Sequence, residues 1–177
     1  IEREILKENV GVQDQVAVAH GGFNKITFGR NDEIKVEPIS VPRERIEELD
    51  SHSLLYFTGF SRYASEIAKD QIEKTLEKKK ELSLMHQMVE EAIDILKNDK
   101  RSIVEFGKLL NESWQLKKSI TDKISNKEID NVYERALKSG AEGGKLLGAG
   151  GGGFMLLFVP PENQPKVRET LKDLLEV

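Results

Sequence analysis

The chain has no cysteine. Disulfides, thiolate metal sites and thiol nucleophiles are therefore excluded. It has one tryptophan, three histidines and 6% aromatic residues, and the histidines (His20, His52, His86) show no metal-ligand spacing. No apolar run approaches the roughly 20 residues of a membrane-spanning helix, and no secretory-leader pattern opens the chain. Charge of neither sign dominates. Lysine and arginine number 27 against 31 acids, a net charge of −4, which speaks against nucleic acid or an anionic membrane as partner. There is no Gly-x-Ser-x-Gly elbow. What remains is a charged, helix-rich cytoplasmic type of protein, with 177 residues to form one well-cored domain and a smaller appendage.

Glycine, by contrast, is concentrated. Five of the six residues Gly148 to Gly153 are glycine, and the apolar run Phe154–Val159 follows at once. Such a cluster marks backbone that adopts positive φ or approaches another group closely. The segment satisfies G-x-G-x-x-G, but a dinucleotide fingerprint needs a strand before the glycines and a helix after them. The pattern predicts the reverse, a helical segment and then a strand. No Lys-Ser/Thr closes the cluster, so a Walker A loop is excluded as well.

Periodicity organises the rest. Residues 1–8 read as helix, 12–20 as a short helix, and 23–28 with 34–38 as a β-hairpin. A charged helix over 43–49 precedes a buried strand at 54–57. Long amphipathic helices are expected at 62–80, 83–98 and 102–117, then one over 129–139. Their apolar faces include Ile72, Leu84, Val89, Phe106 and Trp114. The Lys78–Lys80 run reads as a solvated helix face. A strand at 154–159 and a final helix over 164–176 complete the chain. Together these predict an α+β fold, helices packed on one face of a mostly antiparallel sheet.

Two further segments could carry chemistry. Asp14, flanked by Gln13 and Gln15, sits at a helix start. It is either a first-turn acid complementing the helix dipole or a carboxylate that accepts a substrate proton. At Thr58–Ser65, Ser61 and Arg62 could offer a hydroxyl, a guanidinium and helix N-terminal amides to an anion, or Ser61 could simply cap the helix.

In order and spacing these segments resemble the GHMP small-molecule kinases. The resemblance rests on GVQDQ around Asp14, on FGKLLNESWQLKKS at 106–119, and on Ile129-Asp130 with the glycine segment Gly140–Phe154. The stretches QDQVAVAHGGFN, LYFTG with RYASEI, and GGKLLGAGGGGF resemble members acting on a seven-carbon sugar phosphate. The resemblance implies ATP and Mg²⁺, with Asp14 as catalytic base and Gln13 beside it. It assigns Arg62, Lys145, Gly148, Gly150, Gly151 and Gly152 to substrate and phosphate binding. Implied partners are a sugar phosphate and ATP, and a homo-oligomer is compatible with it. It divides the chain into residues 1–40, the end of the ATP-binding domain, and 41–177, the C-terminal domain. The family's phosphate-cradling motif, P-x-x-x-G-L-G-S-S, is absent from these 177 residues. The expectation is therefore the C-terminal part of a kinase, inactive alone. Fucokinase-type or galactokinase-type enzymes and a non-catalytic binding module are the competing expectations.

Overall fold

A computed structural model describes residues 11–29, 31, 33–59, 64–75, 77–148 and 150–177, the side chains of 64–68 excepted. The helix expected over 1–8, and Arg62 with its neighbours 60, 61 and 63, lie outside the described residues.

Helix α1 (Gln13–His20) stops at Gly21, whose positive φ of 64° turns the chain while its N–H still bonds Ala17 O. The hairpin follows as β1 (Asn24–Phe28) and β2 (Ile34–Pro38), antiparallel, with Lys25 opposite Glu37. Lys25 also makes an ion pair with Glu90 and so ties this two-stranded sheet to a distant helix.

The main sheet is antiparallel at every pairing among the described residues, in the order β4-β5-β3-β6. β3 (Ser53–Phe57) lies at its centre, and its apolar residues alternate between the two faces. β5 (Phe154–Phe158) pairs with it, Leu55 opposite Leu156. The expected α+β class holds.

Three boundaries differ from the periodicity reading. The helix expected over 62–80 ends early: α3 (Ala64–Lys74) gives way to turns, and α4 (Lys79–Lys97) begins within the lysine run. Ile72 on α3 is 62% exposed, so the apolar face drawn through it is not core there. Leu84 and Val89 on α4 are likewise exposed, while Ile95 and Leu96 at its end are buried. The final helix is also shorter than expected. α7 (Gln164–Thr170) ends before Leu171, and the chain adds an edge strand, β6 (Leu175–Glu176), beside β3. Tyr56 donates to Glu176 at 3.2 Å and Arg168 also holds that carboxylate, contacts that favour the strand over another helical turn. The third difference is β4 (Gly143–Leu146), a strand where loop was expected.

Helices α5 (Val104–Lys118) and α6 (Lys127–Lys138) cover the sheet. Asn126 caps α6 by accepting from Ile129 N–H at 2.8 Å, which starts it two residues before the apolar pattern does. The core gathers Trp114 from α5, Ile129 and Tyr133 from α6, and Tyr56, Met155 and Leu157 from the sheet. The Trp114 and Tyr133 rings meet at a tilt, their centroids 6.3 Å apart.

α2 (Arg43–Ser51) contributes an unusual buried charge. Arg45 is 8% exposed and donates to Ile95 O, Asn98 O and Arg101 O at 2.8, 3.1 and 2.5 Å, with Glu48 as its counter-ion at 2.6 Å. These carbonyls lie at the end of α4 and in the turn after it, so Arg45 acts as a C-terminal cap supplied from another helix. Removing it takes the side-chain donor from buried Ile95 O and from two part-buried carbonyls, at about 1–3 kcal/mol for a buried group left unpaired. Arg45→Met is expected to cost about 3 kcal/mol, read as a fall of roughly 10 °C in thermal midpoint. A midpoint within about 2 °C of the parent would show that solvent caps α4 equally well.

Candidate active site

The glycine segment is the connection between two antiparallel strands. β4 precedes it and β5 follows, and Leu147 N–H still reaches Phe154 O at 2.8 Å to continue the ladder. The strand missing from the dinucleotide fingerprint is thus present, but the helix that must follow is not, and the exclusion stands on that ground.

β4 escapes a propensity reading because Gly143 and Gly144 are the opposite of strand formers. They are there for proximity. A Cβ on Gly143 would lie 2.0 Å from Gly107 O on α5, and one on Gly144 would lie 2.5 Å from Leu156 O on β5. The helix and the sheet edge touch backbone to backbone. Gly107 is part of the same contact, since a Cβ there would meet Phe158 at 2.5 Å.

The loop is fixed from two sides. Gly151 N–H donates to Ile124 O at 2.8 Å, and a Cβ on Gly150 would stand 2.8 Å from that same carbonyl. At the other side, both the N–H and the hydroxyl of buried Thr58 donate to Gly153 O, at 2.9 and 2.8 Å. Gly150 and Gly151 are buried, Gly152 is half-buried and Gly148 is exposed. Gly148 adopts φ +77°, the left-handed region where a side chain is strained.

Around Gly148 the structure brings together groups from three elements. Lys117, in the last turn of α5, donates its ammonium to Gly148 O at 2.8 Å. Lys145, on β4, is half-buried beside it. Burial lowers the pKa of Lys145 from its usual value, and the charge of Asp14 opposes that. Lys117 is pushed down to about 8, by burial first and then by the like charge of Lys145, again with Asp14 opposing. Asp14 therefore stands within electrostatic reach of both lysines although α1 is remote in sequence. Its carboxylate is exposed and accepts from Gln13 Nε2 at 3.3 Å.

Of the residues singled out in the sequence, Gln13, Asp14, Lys145 and Gly148 come together. Gly150 and Gly151 serve as the loop's anchored side, and Arg62 lies outside the described residues. Lys117 was missed. Its sequence signal is slight: it follows core residue Trp114 by three positions, one helical turn, on the side of α5 that approaches the sheet. Its neighbour Lys118 turns instead to Asp130, at 2.9 Å. The other named residues have ordinary explanations. His52 is buried, within hydrogen-bond distance of Glu48 O at 2.7 Å and stacked on Phe158, while His20 and His86 are exposed.

Residues 91–177 match the family described as "GHMP kinases C terminal". The chain carries the C-terminal domain of a GHMP kinase. It is 37% identical over 175 residues to the D-glycero-alpha-D-manno-heptose 7-phosphate kinase of Campylobacter jejuni, covering 97% of this chain and 51% of that protein. A D-glycero-D-manno-heptose 1-phosphate kinase from Bacteroides thetaiotaomicron superposes with a TM-score of 0.62 at 29% identity, over 99% of this chain and 47% of that one. The mevalonate kinase of Methanococcus jannaschii gives a TM-score of 0.72 at 23% identity, over 99% of this chain and 51% of that one, and so shares the GHMP kinase fold. The chain spans about half the length of these kinases.

Proposed function

We propose that this GHMP kinase domain belongs to an ATP-dependent sugar kinase. The enzyme would phosphorylate the anomeric hydroxyl of D-glycero-D-manno-heptose 7-phosphate to give the 1,7-bisphosphate. The observation that carries the reading is the placement of Asp14 within reach of two half-buried lysines at the glycine loop. Phosphoryl transfer needs a carboxylate to take or orient the hydroxyl proton and cations to neutralise phosphate charge. This cluster supplies both. The sugar is argued from the similarity to the Campylobacter jejuni kinase.

In this mechanism the hydroxyl oxygen attacks the γ-phosphorus of ATP, the bond to the β-γ bridging oxygen breaks, and ADP leaves. Asp14 accepts the hydroxyl proton, with Gln13 holding its carboxylate. The glycine loop lets backbone approach the phosphates where Cβ atoms would obstruct them. Lys145 and the loop's amides form a donor set suited to a polyphosphate. Mg²⁺ would neutralise phosphate charge when bound. Among the described residues no three carboxylate or histidine side chains converge to hold it, so this reading assigns it no protein ligand there. Arg62 is assigned to the sugar's 7-phosphate. The division into an ATP-binding end at 1–40 and a C-terminal domain at 41–177 is part of the same proposal, as is a cytoplasmic location.

The test is a coupled ADP-release assay on the full gene product with heptose 7-phosphate, L-fucose and D-galactose. Turnover in the kinase range of about 1–100 s⁻¹ is expected on the heptose phosphate, with the unphosphorylated sugars at least 100-fold poorer in kcat/KM. Preference for fucose or galactose would replace the substrate assignment, and no transfer to any sugar would favour a binding module. The 177 residues alone are expected to fall far below this range, because they lack the phosphate-cradling motif and its share of charge stabilisation.

A further inference from the structure

Lys117 enters the reading above only as one of two cations near Asp14, yet its environment is hard to explain as packing. A lysine serving only the fold would extend its ammonium into water or pair with a carboxylate, as Lys118 does with Asp130. Lys117 instead sits half-buried and, among the described residues, donates to a neutral carbonyl, Gly148 O at 2.8 Å. A second half-buried cation, Lys145, lies within electrostatic reach of it. Two ammonium groups drawn together in partial desolvation repel each other, and an exposed Asp14 compensates only one charge. Counted over the described residues, the arrangement holds about one positive charge more than Asp14 neutralises. Both lysines stand on elements, α5 and β4, whose backbones touch at Gly107 and Gly143, so the backbone positions of the pair are fixed relative to each other.

We propose that Lys117 and Lys145 form a paired-lysine receptor for one phosphate group beside Asp14. In that receptor Lys117 exchanges the Gly148 carbonyl for a phosphate oxygen when the ligand enters. The receptor rests on the kinase reading for the identity of the phosphate carrier. The dianion is either the terminal phosphate of the nucleotide or the phosphate of the sugar, and the two present the same chemistry to an ammonium pair. Release of Lys117 from Gly148 O also couples occupancy to the glycine loop, whose exposed corner is Gly148.

Occupancy carries a pH signature. Among the described residues, the charges that act on Lys117 are Lys145 from β4 and Asp14 from α1. Unliganded, Lys117 titrates near 8; a bound dianion raises that value. The charge favouring binding is therefore present below pH 8 and lost as pH rises through it. For sulfate, whose own charge is constant across this range, affinity should fall about eightfold between pH 7.5 and 9 from Lys117 alone.

The experiment titrates the 177-residue chain with sodium sulfate and sodium phosphate, following ¹³Cε-labelled lysines by NMR, in the parent, Lys117→Met and Lys117→Arg. Expected are saturable shifts of Lys117 and Lys145 in the parent and at least tenfold weaker binding in Lys117→Met. Lys117→Arg should keep affinity within about threefold while the fall between pH 7.5 and 9 becomes smaller, because a guanidinium does not titrate there. No saturable binding by the parent, a Met variant within twofold of it, or an Arg variant with the parent's pH dependence would each overturn the proposal. In the full gene product, Lys117→Met then separates the sources. A tenfold rise in KM for ATP alone assigns the nucleotide phosphate, the same rise for the sugar phosphate alone assigns the sugar's, and no change in either overturns the receptor. Sulfate binding without heptose phosphate turnover would refute the substrate assignment and leave the receptor standing.

Discussion

Replacing Asp14 by Asn in the full gene product is expected to lower kcat by about 10²–10⁴-fold, the usual worth of a general base. KM for ATP should change little. Asparagine keeps the size of the side chain and can still bond Gln13, but it cannot accept the hydroxyl proton. It also removes the negative charge that opposes the downward shift of Lys117 and Lys145. The measurement is steady-state kinetics with single-turnover controls, so that a slowed chemical step is separated from product release. The outcome that sinks the assignment is equally plain. If kcat stays within a factor of three, Asp14 is only a first-turn acid, and Asp14→Asn should then cost at most about 1 kcal/mol of helix stability.

The second large effect concerns stability. Gly143→Ala is expected to cost about 3 kcal/mol or more, a value at the upper end for overpacking. Its Cβ would stand 2.0 Å from Gly107 O and 2.9 Å from Asn111 N, both backbone atoms of α5 that cannot turn aside as a side chain can. The helix or the strand must move as a body. Gly11→Ala provides the contrast, since among the described residues nothing lies within 4 Å of its Cβ and its φ is outside the left-handed range; it should stay within about 0.5 kcal/mol. Denaturant melts of the two variants decide the matter. Equal midpoints would mean that the α5–β4 contact is looser than backbone contact.

Much of this architecture was legible because local chemistry and tertiary environment agree. The hairpin β1–β2 announced itself by alternation and the Asn31-Asp32 turn, and β3 and β5 by short apolar runs. α5 and Trp114 followed from a helical stripe. Where the two disagree, the sequence misleads. Val167, Leu171 and Leu174 keep helical spacing past Thr170, but the last residues gain more by pairing with β3. β4 is written Gly-Gly-Lys-Leu, and nothing local says strand; its conformation comes from having to pass close beside α5. The candidate site divides in the same way. Asp14, Lys145 and the glycine run each bear a mark in one dimension. Lys117 does not, since a Lys-Lys pair at a helix end reads as solvated charge. Its position depends on how far α5 travels before it reaches the loop.

That travel has a definite length. From Gly107 to Lys117 the helix advances ten residues, about 15 Å at 1.5 Å each. From Gly143 to Gly148 the neighbouring strand and its exit advance five residues, about 17 Å at 3.3–3.4 Å each. The two elements start from one touching pair of glycines and end on one hydrogen bond, so helix and strand act as matched rulers. Inserting a residue in α5 between those marks would swing its lysine about 100° around the axis; inserting one in β4 would turn Lys145 to the opposite face. Insertions should be excluded between these marks in any chain that keeps the same site.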